Sequence, residues 1–413
     1  MERSRIYAEG LVCPKCGARY SFDPPANCAN CHENSFKFSV AYDLPGLMDA
    51  VSKDLFKQRQ ASMWRYRELL PVLHDQNIVS MGEGWTPLIK ARMLANRFGT
   101  KNLFIKSDYA MPTFSFKDRG SSCVVSKALE LGLKTIAIVS SGNAGSSLAA
   151  YCARAGLGCL ILVPDFTPAE KLAQVAVYGP RLAKITATVD QARVLLQNTS
   201  SALGITPMNT SCLRAYYKEG MKTLAFELCE QFDWNPPEWV LIPSGSGSSL
   251  LGAWKGFDEF KQLGLIARCP KLVAVETQAA QPIAEKFGTG TPGTSQSSET
   301  VATALLVREP PEVEFVVAAI KDSKGTAVVV EEETMLQAQK DLAKSEGIFA
   351  EPSGAIVLGA AARLVEQRVV DADERIVCVV TGAGLKDVKS ARLGVPEPRT
   401  IGATVQELRG MVG

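Results

Sequence analysis

Pro112-Thr113-Phe114-Ser115-Phe116-Lys117-Asp118-Arg119-Gly120 sits between an apolar run at 102–106 and an amphipathic segment at 117–131. An apolar run that passes through a turn into a helix-period segment reads as one βα step. Lys117 then lies where the turn becomes the helix. The plain reading is a helix-start lysine in solvent. The chemical reading is a lysine beside a cofactor's phosphate and carbonyl, where it can lose its proton and form an imine.

The same alternation continues on both sides of this stretch. Runs at 102–106, 135–139, 159–163 and 184–186 read as strands, each followed by a helical pattern at 117–131, 145–155, 169–178 and 189–203. A second series has strands at 239–242, 272–275, 327–330 and 376–380, with helices near 248–260, 332–345 and 353–366. Strands alternating with helices imply parallel sheets, so the chain is expected to form two α/β lobes. In such folds ligands meet the carboxyl ends of the strands. Gly, Ser and Thr dominate 286–300, which reads as a loop.

Three further strand-to-helix turns carry polar groups. Ser140-Ser141-Gly142-Asn143 opens a helix with free N–H groups suited to a carboxylate, or forms an ordinary N-cap turn. Gly245-Ser246-Gly247-Ser248-Ser249 offers backbone and hydroxyl donors to a phosphate and has no following Walker-type lysine. Thr381, at the end of the last strand, places a hydroxyl in the same cleft, with Glu351-Pro352-Ser353-Gly354-Ala355 upstream. A lysine, a carboxylate seat, a phosphate seat and a hydroxyl together suit an aldehyde phosphate.

Cys13-Pro14-Lys15-Cys16 and Cys28-Ala29-Asn30-Cys31 are two C-x-x-C pairs separated by eleven residues. That spacing matches a structural zinc ribbon, whose four thiolates close the coordination sphere and leave no place for water. His32 stands next to Cys31 as an alternative ligand, but the four thiolates already complete the set. The other seven of the eleven cysteines lie in apolar or small-residue surroundings, where cysteine packs as a small hydrophobe.

Composition excludes several classes. The formal net charge is +2 with 21% charged residues, so charge gives no reason to expect nucleic acid as a partner. No apolar run reaches the roughly 18 residues that a membrane helix needs. The charged start, MERSRIYAEG, does not look like a secretory signal, so a reducing cytoplasm is the expected compartment.

Taken in order, GEGWTPL, PTFSFKDRG, SSGNAG, PSGSGSS, EGIFAEPSGA and TGAGLKD resemble the threonine synthase family of fold-type II pyridoxal-phosphate enzymes over about residues 80–390. The resemblance implies a tryptophan-synthase-β-like α/β fold: a zinc ribbon at 1–38, a larger cofactor-phosphate-binding lobe from 39–105 and 205–413, and a smaller lobe from 106–204. It implies that Lys117 carries pyridoxal 5′-phosphate and that Asn143 lies by the 3′ oxygen. Gly245, Ser246, Gly247, Ser248 and Ser249 would hold the cofactor phosphate, and Thr381 the pyridine nitrogen. Ser140, Ser141 and Gly142 would bind the substrate carboxylate, with Arg214 and Lys218 as candidates for the leaving phosphate. Structural Zn²⁺ would sit on Cys13, Cys16, Cys28 and Cys31, and a homodimer is the family expectation.

The implied reaction is O-phospho-L-homoserine and water to L-threonine and phosphate. The alternatives are a β-elimination or β-replacement enzyme acting on serine, threonine, phosphoserine or a specialised amino acid, and a catalytically silent binding protein with the same fold. The chain departs from the family pattern at Met111, where asparagine is usual, at Phe114, where glycine is usual, and at Ala383, where histidine is usual.

Overall fold

The computed structural model describes residues 7–140, 142–165, 167, 169–187, 189–291, 300–393 and 395–412, with only the backbone of 169–171, 190 and 412. Three antiparallel strands, β1 (Ala8–Val12), β2 (Arg19–Tyr20) and β3 (Ser39–Tyr42), form an N-terminal sheet in the order β2-β1-β3. The body adds β4 (Leu88–Lys90), β5 (Leu103–Lys106), β6 (Thr135–Val139), β7 (Gly158–Pro164), β8 (Arg181–Ile185), β9 (Thr206–Pro207), β10 (Trp239–Pro243), β11 (Lys271–Thr277), β12 (Thr326–Val330) and β13 (Ile376–Val379).

Six of these build the larger sheet, β12-β11-β10-β13-β5-β4, parallel except for the edge pair β4/β5. The smaller sheet, β8-β7-β6-β9, is parallel throughout. Every residue of β6, β10 and β13 is buried, which explains their largely apolar composition: a parallel strand covered by helices on both faces has no wet side. Several boundaries shift by one or more residues, and two of the shifts have a clear cause. β8 begins at Arg181 because its parallel pairing with the longer β7 starts at Leu160–Arg181. Lys286 and Phe287 belong to the short helix Pro282–Phe287, so the expected loop begins later, and 292–299 lie outside the described residues.

Five helices matter for the site: α1 (Lys117–Glu130), α2 (Asn143–Ala155), α3 (Leu213–Gln231), α4 (Ser248–Gln262) and α5 (Pro352–Glu366). The sequence pattern assigns no helix to 213–231. The reason is burial on all sides: α3 is buried from Leu213 to Cys229, and Arg214, Lys218, Glu219, Lys222 and Glu227 interrupt any single apolar stripe. Helices α1 and α3 cross at two glycines. A Cβ on Gly220 would fall 2.0 Å from the Arg119 carbonyl oxygen, and one on Gly120 would fall 2.2 Å from the Tyr217 ring. Side chains at these positions would hold the helices apart, and the crossing sets what faces the first turn of α1.

Candidate active site

Lys117 opens α1 beyond the carboxyl end of β5, and its loop is held to the segment after β13 by backbone hydrogen bonds. Phe116 N–H donates to Thr381 O (2.9 Å) and Ala383 N–H to Phe114 O (3.1 Å). Phe114, where the family resemblance leads one to expect glycine, has φ of +64° and is half exposed. A non-glycine residue in that region carries backbone strain of about 1 kcal/mol or more. The Lys117 ammonium lies 4.1 Å from the Phe116 ring centre. Desolvation lowers its pKa to about 8, nearby Arg214 adds to the fall, and Glu351 opposes it. Such a lysine delivers neutral amine at mild pH.

Asn143, at the start of α2, comes from the smaller lobe. Its Nδ2 donates to Glu351 Oε1 at 2.9 Å, so the amide is fixed across the cleft to the residue before α5. Glu351 is buried, and burial raises its pKa above the usual carboxylate range. The site has room for this carboxylate because residue 382 is glycine, whose Cβ would lie 2.2 Å from Glu351 Oε1. Lys386 crosses the lobes too, donating to Thr113 O (3.1 Å), Ser146 Oγ (3.1 Å) and Gln174 Oε1 (2.5 Å). Burial lowers its pKa to about 8, against the pull of Glu351 and Asp118.

Ser140 follows β6, and its Oγ accepts from Gly145 N–H (3.2 Å) and Gly142 N–H (3.4 Å), a local cap at the start of α2. That occupies part of the hydroxyl's capacity and leaves Gly142 exposed at the helix start. Ser141 lies outside the described residues.

Gly245–Ser249 form the turn from β10 into α4. Gly247 has φ of +77°, and a Cβ there would strike Val316 at 2.3 Å, so glycine is required both for conformation and for packing. No side chain caps α4, while Ser246 Oγ and Ser248 Oγ lie 3.3 Å apart. The first N–H groups of α4 are therefore left uncapped beside two hydroxyls, an arrangement that accepts a phosphate. Thr381 is buried just beyond β13, the neighbour of both β10 and β5 in the sheet. The three loops at these adjacent strand ends consequently face one cleft, and the donors, the desolvated amine and the hydroxyl fit an aldehyde phosphate.

Arg214 and Lys218 lie one turn apart on α3. They are not solvated charges: both are more than nine-tenths buried and paired to Glu312, with Arg214 Nε 2.6 Å from Oε2 and Lys218 Nζ against Oε1. Burial works against the Glu312 anion, but the two cations outweigh it and lower its pKa. No motif marks Glu312; it follows Pro310-Pro311 in a stretch whose sequence carries no chemical signature.

Beneath the site, Arg119 binds Asp108 with Nε (2.9 Å) and Nη2 (2.8 Å), and Glu227 with both Nη groups. Lys106 adds Glu227 Oε2 (2.7 Å), Thr86 O (2.7 Å) and Gln231 Oε1 (3.0 Å). These groups satisfy one another. The 780 Å³ surface depression lined by Asn102, Glu238 and Asp371–Arg375 lies at the amino ends of β5, β10 and β13, the end of the sheet opposite to Lys117.

Cys13, Cys16, Cys28 and Cys31 bring their sulfurs within 4.8 Å of one another. Cys13–Cys31 and Cys16–Cys28 are 3.6 and 3.4 Å apart. Four ligands at a zinc–sulfur bond length of about 2.3 Å stand roughly 3.8 Å apart in a tetrahedron, so the cluster fits that ion. Among the described residues no helix is long and apolar enough to cross a membrane.

A family profile described as pyridoxal-phosphate dependent enzyme matches residues 79–382. The threonine synthase of Methanocaldococcus jannaschii is 36% identical over 96% of this chain and 98% of its own length. That of Methanosarcina acetivorans is 36% identical over 97% of each chain. Among solved structures, maize serine racemase superposes with a TM-score of 0.61 at 23% identity, covering 72% of this chain and 88% of its own. Diaminopropionate ammonia lyase from Escherichia coli superposes with a TM-score of 0.64 at 19% identity, covering 78% and 92%. The expected α/β architecture and family resemblance are thus borne out.

Proposed function

The chain belongs to the pyridoxal-phosphate-dependent enzymes and, within them, to the threonine synthases, and on that premise we propose that it converts O-phospho-L-homoserine and water into L-threonine and phosphate. The observation that carries this reading is the desolvated Lys117 amine at the meeting of the loops after β5, β10 and β13.

Pyridoxal 5′-phosphate, when bound, supplies the electron sink for β,γ-replacement. Lys117 holds the cofactor and then moves protons at the substrate Cα and Cβ; its pKa of about 8 lets it serve as base and as acid near neutrality. Gly245, Ser246, Gly247, Ser248 and Ser249 hold the cofactor phosphate at the start of α4. Asn143, aimed by its bond to Glu351, would lie by the cofactor's 3′ oxygen. Thr381 would offer the pyridine nitrogen a neutral hydroxyl, which would not enforce protonation there as a carboxylate would. Ser140, Ser141 and Gly142 take the substrate carboxylate, and Arg214, helped by Lys218, takes the leaving phosphate.

The remaining parts of the reading are structural. Cys13, Cys16, Cys28 and Cys31 hold one Zn²⁺ that folds the ribbon at 1–38 without entering the chemistry. The smaller lobe comprises 106–207, extended past 204 because β9 pairs with β6, and the larger lobe comprises 39–105 and the chain from 208 onward. A cytoplasmic homodimer completes the proposal. Its support is the family resemblance together with the seven cysteines outside the ribbon, which form no disulfide and suit a reducing compartment.

The test is to add O-phospho-L-homoserine to purified holoenzyme and measure phosphate and threonine together. Equal amounts of both are expected. A yellow enzyme that releases neither would move the substrate to serine, threonine or phosphoserine.

A further inference from the structure

Helix α3 carries two hydrogen-bond donors that nothing among the described residues answers. Arg214 spends Nε on Glu312, yet its Nη2 is buried with no partner among the described residues. Tyr217 OH is likewise buried and unpartnered. Both side chains are more than nine-tenths buried, at 7% and 6% exposure. Buried polar atoms nearly always find a partner, and an unmet donor costs about 1–3 kcal/mol. Two such donors three residues apart on a helix lie on one face, so the costs fall at one place.

That place is the site. The Tyr217 ring lies where a Cβ of Gly120 would be, one turn along α1 from Lys117. Arg214 is close enough to Lys117 to lower its pKa. Helix α4 runs parallel to α3, since Gly252 faces Lys218 and Met221 while Gly256 faces Lys222 and Ala225. The N-termini of α3 and α4 therefore point the same way, and both favour negative charge. Burial keeps the Tyr217 phenol protonated, more than offsetting Arg214, so the hydroxyl remains a donor.

We propose that Tyr217 is a substrate-binding residue whose hydroxyl, with Arg214 Nη2, forms a two-donor seat for the phosphate of the amino-acid substrate. This rests on the reading of Arg214 given above and adds to it a residue and a reason: the two donors have no partner among the described residues, and a tetrahedral oxyanion offers an acceptor to each. The nearby cofactor phosphate has the same chemistry, and the test separates the two.

Tyr217→Phe keeps the ring that fills the crossing at Gly120 and removes only the hydroxyl. On the holoenzyme, affinity for inorganic phosphate, read by calorimetry, is expected to fall about tenfold or more, with a parallel rise in KM for O-phospho-L-homoserine. Cofactor affinity is expected to stay constant. The melting temperature is expected to hold or rise, because an unmet donor has been removed. Unchanged phosphate affinity overturns the proposal, and if Arg214→Gln weakens phosphate while Tyr217→Phe does not, Arg214 keeps its role and Tyr217 loses it. A loss of cofactor affinity alone reassigns the seat to the cofactor phosphate and overturns it too. A marked fall in melting temperature makes the hydroxyl structural and likewise overturns the proposal. If neither variant alters phosphate binding, the underlying reading of Arg214 fails with it.

Discussion

Lys117 and Arg119 are two residues apart at the start of the same helix, yet they live in opposite electrostatic circumstances. Arg119 is fully buried with Asp108, Glu227 and Thr223 around it, and every neighbour is answered. Among the described residues, Lys117 is desolvated against the Phe116 ring, with the buried Glu351 carboxyl and the Arg214 guanidinium at longer range. Arg214 and Tyr217, on the facing helix, carry donors with no partner among the described residues. Complete satisfaction marks the part of α1 that holds the molecule together, and incomplete satisfaction marks the part that waits for a ligand.

Substitutions should divide along that line. Lys117→Ala is expected to reduce turnover by about a thousandfold or more, while the melting temperature changes little; steady-state kinetics and calorimetry check both halves. Glu227→Gln should do the reverse. It leaves Arg119 and Lys106 with a neutral partner in the interior, and breaking a buried pair costs about 3–5 kcal/mol, seen as a much lower melting temperature or loss of soluble protein. If Glu227→Gln were as stable as the parent, the contrast between the two residues would collapse.

Removing the ribbon metal should have a smaller, more local effect. The ribbon side docks on α3 and α4 through Tyr216 OH to Phe22 O, Tyr42 OH to Glu219 (2.8 Å) and Lys255 Nζ to Val40 O (2.7 Å). Chelation is expected to expose the first 38 residues to protease while the bound chromophore keeps its absorbance. Limited proteolysis followed beside the visible spectrum checks this.

The smallest effect is in pH. Lys117 and Lys386 hold protons only to about 8 in the folded chain, against an ordinary 10.5. The unfolded chain therefore binds more protons between about 8 and 10.5, and these two groups make stability rise with pH across that window. Cofactor capture by the cofactor-free protein should likewise quicken as pH passes about 8. Lys117→Met is expected to flatten the stability slope in part, measured as melting temperature against pH.

Much of the fold is legible in the sequence, because parallel strands buried on both faces read as short apolar runs between helical patterns. The apolar runs mark β6, β10 and β13 almost to the residue. Helix α3 is not legible in this way, since its surface carries buried charges on several sides and no apolar stripe survives. The site divides similarly. Lys117 and Gly245–Ser249 stand in turns whose chemistry is local, whereas Glu312 and Tyr217 acquire meaning only from what faces them across the fold. Glu351 lies inside a family motif, but its bond to Asn143 joins residues 208 positions apart, which no local pattern records.

The most direct test of the central claim is to treat the purified holoenzyme with borohydride and locate the cofactor mass by peptide sequencing. A single pyridoxyl group on Lys117 is the expected result. Modification of a different lysine, such as Lys386, with Lys117 left free would contradict the assignment of the active site.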